Sequence, residues 1–192
     1  MNSPPQVRAR HLKSLVAAID RTTAASLVRS RIEPAVLAAT EGASSIDWLP
    51  FELDLAITRA VYLAGPTQAD AFFRAHTGDS FSGPLLQGIV GAGVRLFGLD
   101  PGSWARWVPR GWSLVFRDAG QWSISASKES ECHLALLDLP PMAVEDSFWI
   151  RSVARSLDSL CDLAKCTGGV EVVTVDPVSR RAELLLHWSS VE

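Results

Sequence analysis

From Phe148 to Trp188 the chain reads as one long amphipathic helix running into a β-hairpin, and no other stretch restricts the fold so much. Trp149, Ile150, Val153, Ala154, Leu157, Leu160, Cys161 and Ala164 recur at three- and four-residue spacing and so share one helix face. Arg151, Arg155, Asp158, Asp162 and Lys165 take the opposite face. Asp146 and Ser147 are N-cap residues by type, and Gly168-Gly169 is expected to supply the left-handed stop. Beyond it, Val170 to Val175 is β-branched at nearly every position and Asp176-Pro177-Val178-Ser179 is turn chemistry. Ala182, Leu184, Leu186 and Trp188 then alternate with Glu183, Leu185 and His187, so the helix feeds an antiparallel pair.

Upstream, Leu12, Leu15, Val16 and Ile19 predict a first helix over His11 to Ile19, with the residues through Pro5 lacking regular order. Ala24 to Ala39 reads as a second helix that Pro34 bends or restarts. Asp47-Trp48-Leu49-Pro50 is expected to start another, carried through Phe51, Leu53, Leu55, Ala56, Ala60 and Val61, and Gly65-Pro66 to end it and open Thr67 to Ala75. Ser82 to Phe97 reads as a central buried helix. Asp100-Pro101-Gly102-Ser103 caps a short turn holding Trp104 and Trp107, which Pro109 closes. Trp112 to Arg117, Trp122 to Ser127 and Cys132 to Leu137 are expected strands, and Pro140-Pro141 leads to the long helix. This order predicts an α+β fold: N-terminal helices and a long C-terminal helix packed on an antiparallel sheet of about four to five strands. Residues 1–46 are expected as a helical extension packed on the core, and 47–192 as the α+β domain.

Composition narrows the function classes. The net charge of −3 comes with Lys and Arg scattered along the chain, which argues against nucleic acid. Pro84 to Phe97, the longest strongly apolar run, holds Gln87 and Arg95 and is too short to span a membrane. The N-terminus lacks the apolar core of a secretory signal, and three cysteines without framework spacing suit a reducing compartment, so a soluble cytoplasmic protein is expected.

No catalytic or metal signature overlies this plan. Gly88, Gly91, Gly93 and Gly98 match neither phosphate-binding spacing, and helix packing accounts for them better. Cys132-His133, with Glu129 and Glu131 nearby, lacks the second spaced pair that a zinc site needs. Cys161 and Cys166, five apart, do not share a helix face and read as a buried and a helix-end thiol. His76, His133 and His187 sit in no nucleophile motif, with His187 directed outward on the last strand. Catalytic residues are therefore assigned as none and metal ligands as none.

The aromatic group is denser. Seven tryptophans stand against one tyrosine, and Trp104, Trp107, Trp112, Phe116 and Trp122 fall within twenty residues. A hairpin that put Trp112, Leu114 and Phe116 beside Trp122, Ile124 and Ala126 would juxtapose the rings. Such a group makes either a solid core or the apolar wall of a ligand cavity.

The layout as a whole resembles a known family. The Trp-Leu-Pro-x-Glu-like start at Trp48 to Glu52, Gly65-Pro66, the apolar run Leu85 to Phe97, the short strands, and Phe148 through Gly168-Gly169 to a hairpin ending in Trp188 resemble an uncharacterised family expanded in myxobacterial genomes. That family is similar to the superfamily of ligand-binding domains shared by haem-nitric-oxide sensors, vinyl-reductase domains and the small subunits of the TRAPP transport complex. The resemblance covers about Asp47 to Trp188. It implies a helical layer on an antiparallel sheet, an apolar pocket between them, and self-association. The haem sensors hold their propionates with Tyr-x-Ser-x-Arg. Here Tyr62 is followed by Leu63, Ala64, Gly65 and Pro66, and no histidine matches the proximal ligand, so haem is disfavoured. The acyl chain of the TRAPP-like members is likewise not carried over to Cys132, Cys161 or Cys166.

The expected function is a non-enzymatic sensory or adaptor domain enclosing a small apolar ligand between long helix and sheet, lined by Trp104, Trp107, Trp112, Phe116, Trp149 and Cys161. The alternative is a solid-cored interaction module with a protein partner or a homodimer, motivated by the amphipathic helices Leu12 to Ile19 and Ala24 to Ala39. An enzyme built around Glu131, Cys132 and His133 ranks last.

Overall fold

The computed structural model describes residues 3–82, 100–127 and 130–189, so the helix expected from Ser82 to Phe97 lies, beyond Ser82, outside them. In chain order the described elements are β1 (Gln6–Arg8), α1 (Ala9–Asp20), α2 (Ala25–Arg29), α3 (Pro34–Gly42), β2 (Trp48–Pro50), α4 (Glu52–Ala64) and α5 (Pro66–Ser82). They continue with α6 (Pro101–Ala105), α7 (Val108–Val115), β3 (Phe116–Arg117), β4 (Gln121–Ser127), β5 (Glu131–Leu137), α8 (Pro141–Glu145), α9 (Ser147–Ala164), β6 (Thr167–Asp176) and β7 (Arg181–Ser189). The fold is α+β, with a three-stranded sheet ordered β2-β1-β3 and a four-stranded sheet ordered β4-β5-β7-β6, all pairs antiparallel.

Two apolar clusters follow from the sequence periodicities. In the first, the apolar stripe of α9 lies on the inward positions of the four-stranded sheet, where Leu134, Leu136, Leu184 and Leu186 are each 2% exposed or less. Burying each such side chain contributes about 1.5–3 kcal/mol. In the second, α1, α4 and α5 bury Leu12, Leu15, Ile19, Ile57, Val61 and Phe73 around Tyr62. Tyr62 stacks between Phe73 and Phe148 at 5.5 and 5.1 Å and donates its hydroxyl to Asp70 Oδ1 at 3.0 Å.

Helix α9 begins and ends on specific polar chemistry. Asp146 caps it, accepting from the backbone N–H of Phe148 and Trp149 at 3.0 and 3.2 Å, and also takes Arg59 Nη2 at 2.8 Å. The stop differs from expectation. Lys165 adopts the left-handed conformation (φ 56, ψ 41), while Gly168 and Gly169 lie inside β6. Their smallness serves close approach instead: a Cβ on Gly168 (φ +154) would sit 2.2 Å from the His187 carbonyl oxygen, and one on Gly169 would sit 3.0 Å from Asp158 Oδ1. Asp158, buried on α9, accepts from Val170 N–H at 2.6 Å and faces Arg155 Nη1 at 3.0 Å, and Arg155 donates to the Val170 carbonyl.

Three other expectations change. Trp112 to Val115 is helix rather than strand, because Pro109 opens α7 and Val108, Trp112 and Val115 are spaced for one helix face. Only Phe116–Arg117 is extended, and it pairs with β1, not with β4. Trp48–Pro50 is a strand held by Gln6–Arg8, and the helix starts after it. Pro5 is ordered, its carbonyl accepting from Phe51 N–H at 3.2 Å. Pro34 restarts the helix, one of the two outcomes expected of it, so the segment from Ala24 to Ala39 holds α2 and the start of α3.

Candidate functional site

The aromatic group sits where the first turn of α9 meets α4, α7 and β4. Trp149, 1% exposed, meets Phe51 edge-on at 4.9 Å, Trp112 at 5.8 Å and Phe116 at 6.0 Å. Trp112 lies 4.3 Å from Phe116 and meets Trp122 edge-on at 5.5 Å. The hairpin expected to align these residues does not exist. Helix α7 turns Trp112 inward and leaves Leu114 62% exposed, and the two indoles meet all the same.

Of the six expected lining residues, the structure brings together Trp112, Phe116 and Trp149. Trp104 is buried in the same apolar cluster. Trp107 is 37% exposed, with the Arg110 guanidinium 5.8 Å from its ring. Cys161 is fully buried twelve residues along α9 from Trp149, about 18 Å at 1.5 Å per residue. Burial pushes its thiol up to about 12. The left-handed turn at Lys165 folds Cys166 back, so that its N–H donates to the Cys161 carbonyl at 3.0 Å and its thiol at 3.6 Å. Five-residue spacing alone did not anticipate this meeting.

Polar groups border the rings. Trp149 Nε1 donates to Oδ2 of Asp54 at 2.8 Å; Asp54 is 3% exposed. His11 Nε2 stands 3.3 Å from Asp54 Oδ1, near enough for an ion pair although no hydrogen bond is directed at that oxygen. The His11 ring touches Phe116 at 5.6 Å and lies 6.1 Å from His76. His76 is 8% exposed and stacks on Phe72; burial, reinforced by His11, lowers its imidazole to about 4. Sequence reasoning missed Asp54 and His11. The signal was present in Asp54, an acid spaced three and four residues from Phe51 and Thr58 on a face that is otherwise buried.

Among the described residues, three buried indole donors have no acceptor. The Nε1 atoms of Trp104, Trp112 and Trp122 are buried without a hydrogen-bond partner. Two surface concavities lie elsewhere among the described residues. A cleft of about 450 Å³ is bounded by Pro5, Asp118, Asp138, Pro140 and Arg180, and a shallower one of about 250 Å³ by Lys13, Asp20 and Arg29. Strand alternation separates the residues of the catalytic reading, with Cys132 inside and His133 outside beside Glu131, whose Oε1 lies 3.8 Å from His133 Nε2. Among the described residues no three His, Cys, Asp or Glu side chains form a metal site, and no helix is long and apolar enough to cross a membrane.

No family model and no curated protein matches the sequence. Solved structures do match the fold. An Fe(II) unliganded H-NOX protein from K. algicida is similar with TM-score 0.64 at 8% identity, covering 96% of this chain and 97% of that one. A mutant H-NOX protein from S. oneidensis in the Fe(II) state gives 0.62 at 11% identity, with 96% and 97% covered. An oxygen-binding H-NOX domain related to soluble guanylate cyclases gives 0.61 at 7% identity, with 95% of each chain covered. At this distance in sequence the likeness is one of architecture, and over about 95% of its length the chain has the H-NOX fold.

Proposed function

We propose that this chain is a non-enzymatic sensory or adaptor domain that encloses a small apolar molecule between α9 and the four-stranded sheet. Trp104, Trp112, Phe116 and Trp149 form the walls, Trp107 the rim, and Cys161 the far limit of the same apolar cluster. The observation that carries this reading is the ring assembly of Trp112, Phe116, Trp122 and Trp149, covered by a helix, α7, in which no residue is fully buried. Apolar walls with few polar groups are what small-molecule sites generally offer. The fold supports the reading too, since similar structures include a domain described as oxygen-binding.

Haem, the subject of another similar structure, does not fit the residues of this chain. Residues 83–99 contain no His, Cys or Tyr, so an iron ligand would have to come from the described part. There His11 faces Asp54, His76 stacks on Phe72, and His133 and His187 are exposed on the sheet. The single tyrosine donates to Asp70 within the helical cluster.

Mass spectrometry of solvent extracts from the purified full chain tests the proposal directly. A co-purified apolar molecule that raises Tm when added back is the expected result, and at a hundredfold excess over Kd it stabilises by about 2.7 kcal/mol. An empty extract, with no shift from a panel of fatty acids and aromatic metabolites, would count against it.

A second reading is an assembly module acting through a protein partner or a homodimer in the cytoplasm. Leu27 and Ile46, 46% and 77% exposed on the N-terminal helical segment, favour it. Light scattering that finds the full chain monomeric at every concentration would remove the homodimer.

A further inference from the structure

We infer that the molecule held among the tryptophans is flat, uncharged and carbonyl-bearing, of the quinone class, and that the indole N–H groups of Trp112, Trp122 and Trp104 are its hydrogen-bond donors. The inference rests on the sensory reading above and names the ligand chemistry for that site.

Satisfied and unsatisfied ring donors stand side by side in this part of the molecule. Trp149 Nε1 has Asp54 at 2.8 Å and the Tyr62 hydroxyl has Asp70 at 3.0 Å, yet Trp104, Trp112 and Trp122 bury theirs with no acceptor among the described residues. Leaving a buried donor unmade costs about 1–3 kcal/mol, and native structures hold few such groups without a reason. All three belong to or pack on a single apolar cluster, and the rings of Trp112 and Trp122 are in direct contact. Trp104 is itself 7% exposed.

The chemistry of indole then selects the ligand. Its N–H only donates, so the complementary group must be an acceptor. A carboxylate would enter as a buried charge, and the cations nearest in sequence, Arg106 and Arg110, are exposed. An unpaired buried charge is strongly disfavoured, whereas a neutral carbonyl carries no such penalty. The rings touch one another at centroid distances of 4.3–5.8 Å and angles from 38° to 88°, so a molecule entering beside them meets both ring faces and ring edges, which a flat partner matches.

Room comes from α7. The helix has no fully buried residue, and Leu114 on it is 62% exposed, so an outward shift uncovers side chains of α7 that are only partly buried, Val108, Trp112 and Val115. The acceptor that enters replaces what Trp112 gives up.

The test uses the full chain with its tryptophans labelled with nitrogen-15, and three probes of similar size: duroquinone, the hydrocarbon durene, and trimethylbenzoate. Duroquinone is expected to raise Tm and to move the indole N–H resonances of Trp104, Trp112 and Trp122, assigned through single Trp→Phe variants. Durene is expected to bind more weakly and to leave those N–H positions unmoved. W112F and W122F should each weaken duroquinone about three- to tenfold, the worth of one neutral hydrogen bond, with durene little affected. Equal binding of duroquinone and durene without N–H shifts would overturn the donor assignment while leaving an apolar pocket in place. Tighter binding of trimethylbenzoate would overturn the uncharged class. Binding of none of the three would overturn the inference, and the extraction experiment above then decides the sensory reading separately. The labelled wild-type chain carries the result even if a variant fails to fold.

Discussion

The two ends of α9 are held by different means. At its C-terminal end the helix is pressed onto β6 and β7 by backbone-level contacts: Asp158 on the Val170 N–H, Arg155 on the Val170 carbonyl, and glycine where any side chain would strike the His187 carbonyl. At its N-terminal end the backbone is capped by Asp146, but the side chains meet rings rather than strands, beneath a helix with no fully buried residue. The first end leaves no slack. The second holds large, stiff side chains with unmade hydrogen bonds, and slack of that kind is where a ligand gains most.

The contrast is open to attack from both sides. Gly168→Ala should do the most damage, because a Cβ 2.2 Å from the His187 carbonyl oxygen at φ +154 cannot be relieved without parting β6 from β7. A loss of more than about 3 kcal/mol in urea denaturation is expected. A mild effect would mean that this end is looser than its contacts imply. Asp158→Ala should follow at about 2–4 kcal/mol, since it leaves the Val170 N–H without its acceptor and Arg155 without its carboxylate partner. Hydrogen exchange at the Val170 amide should quicken in the same variant.

Near the other end, His76 makes stability depend on pH. Its folded value of about 4 lies below its ordinary 6.5, so between those limits the unfolded chain binds a proton that the folded chain refuses. Stability is therefore full above about pH 6.5 and declines as pH falls toward 4, by up to about 3 kcal/mol. The ring is faced by His11, Asp54, Asp79 and Arg21, and His76→Phe should flatten Tm across that window. Asp162, held below the ordinary carboxylate value by its hydrogen bond from Arg74, gives way only at lower pH. Leu114→Ser should change stability least, by less than about 0.5 kcal/mol, as its side chain is mostly in water. A large loss there would show α7 to be firmly seated and would weaken the case for its movement.

Periodicity made most of the framework legible. The stripe of α9 and the alternation of β7 were each stated completely by residue type, and the α+β order followed. Where the reading failed, two patterns fitted the same residues. Val108, Trp112 and Val115 fit a helix face, Trp112, Leu114 and Phe116 fit a strand, and the proline at position 109 decided for the helix. Strand β1 was not legible at all, and β3 is only the last two residues of the strand expected from Trp112 to Arg117. Three and two residues long, they carry no period, and they exist only because distant segments pair with them. The aromatic group was found from composition, but its order in space was not. Asp54 was overlooked because an acid on an apolar face looks like an interruption until Trp149 is known to reach it from 95 positions away.

The pairing of Gln6 with Arg117 spans more of the chain than any turn could close. During synthesis the opening strand emerges first, yet it must wait until the middle of the polypeptide has appeared before its second edge is satisfied. The smaller sheet therefore closes late, as does the seating of α9 on α4 and α5, and these distant pairings rather than the helices themselves should limit how fast the chain matures.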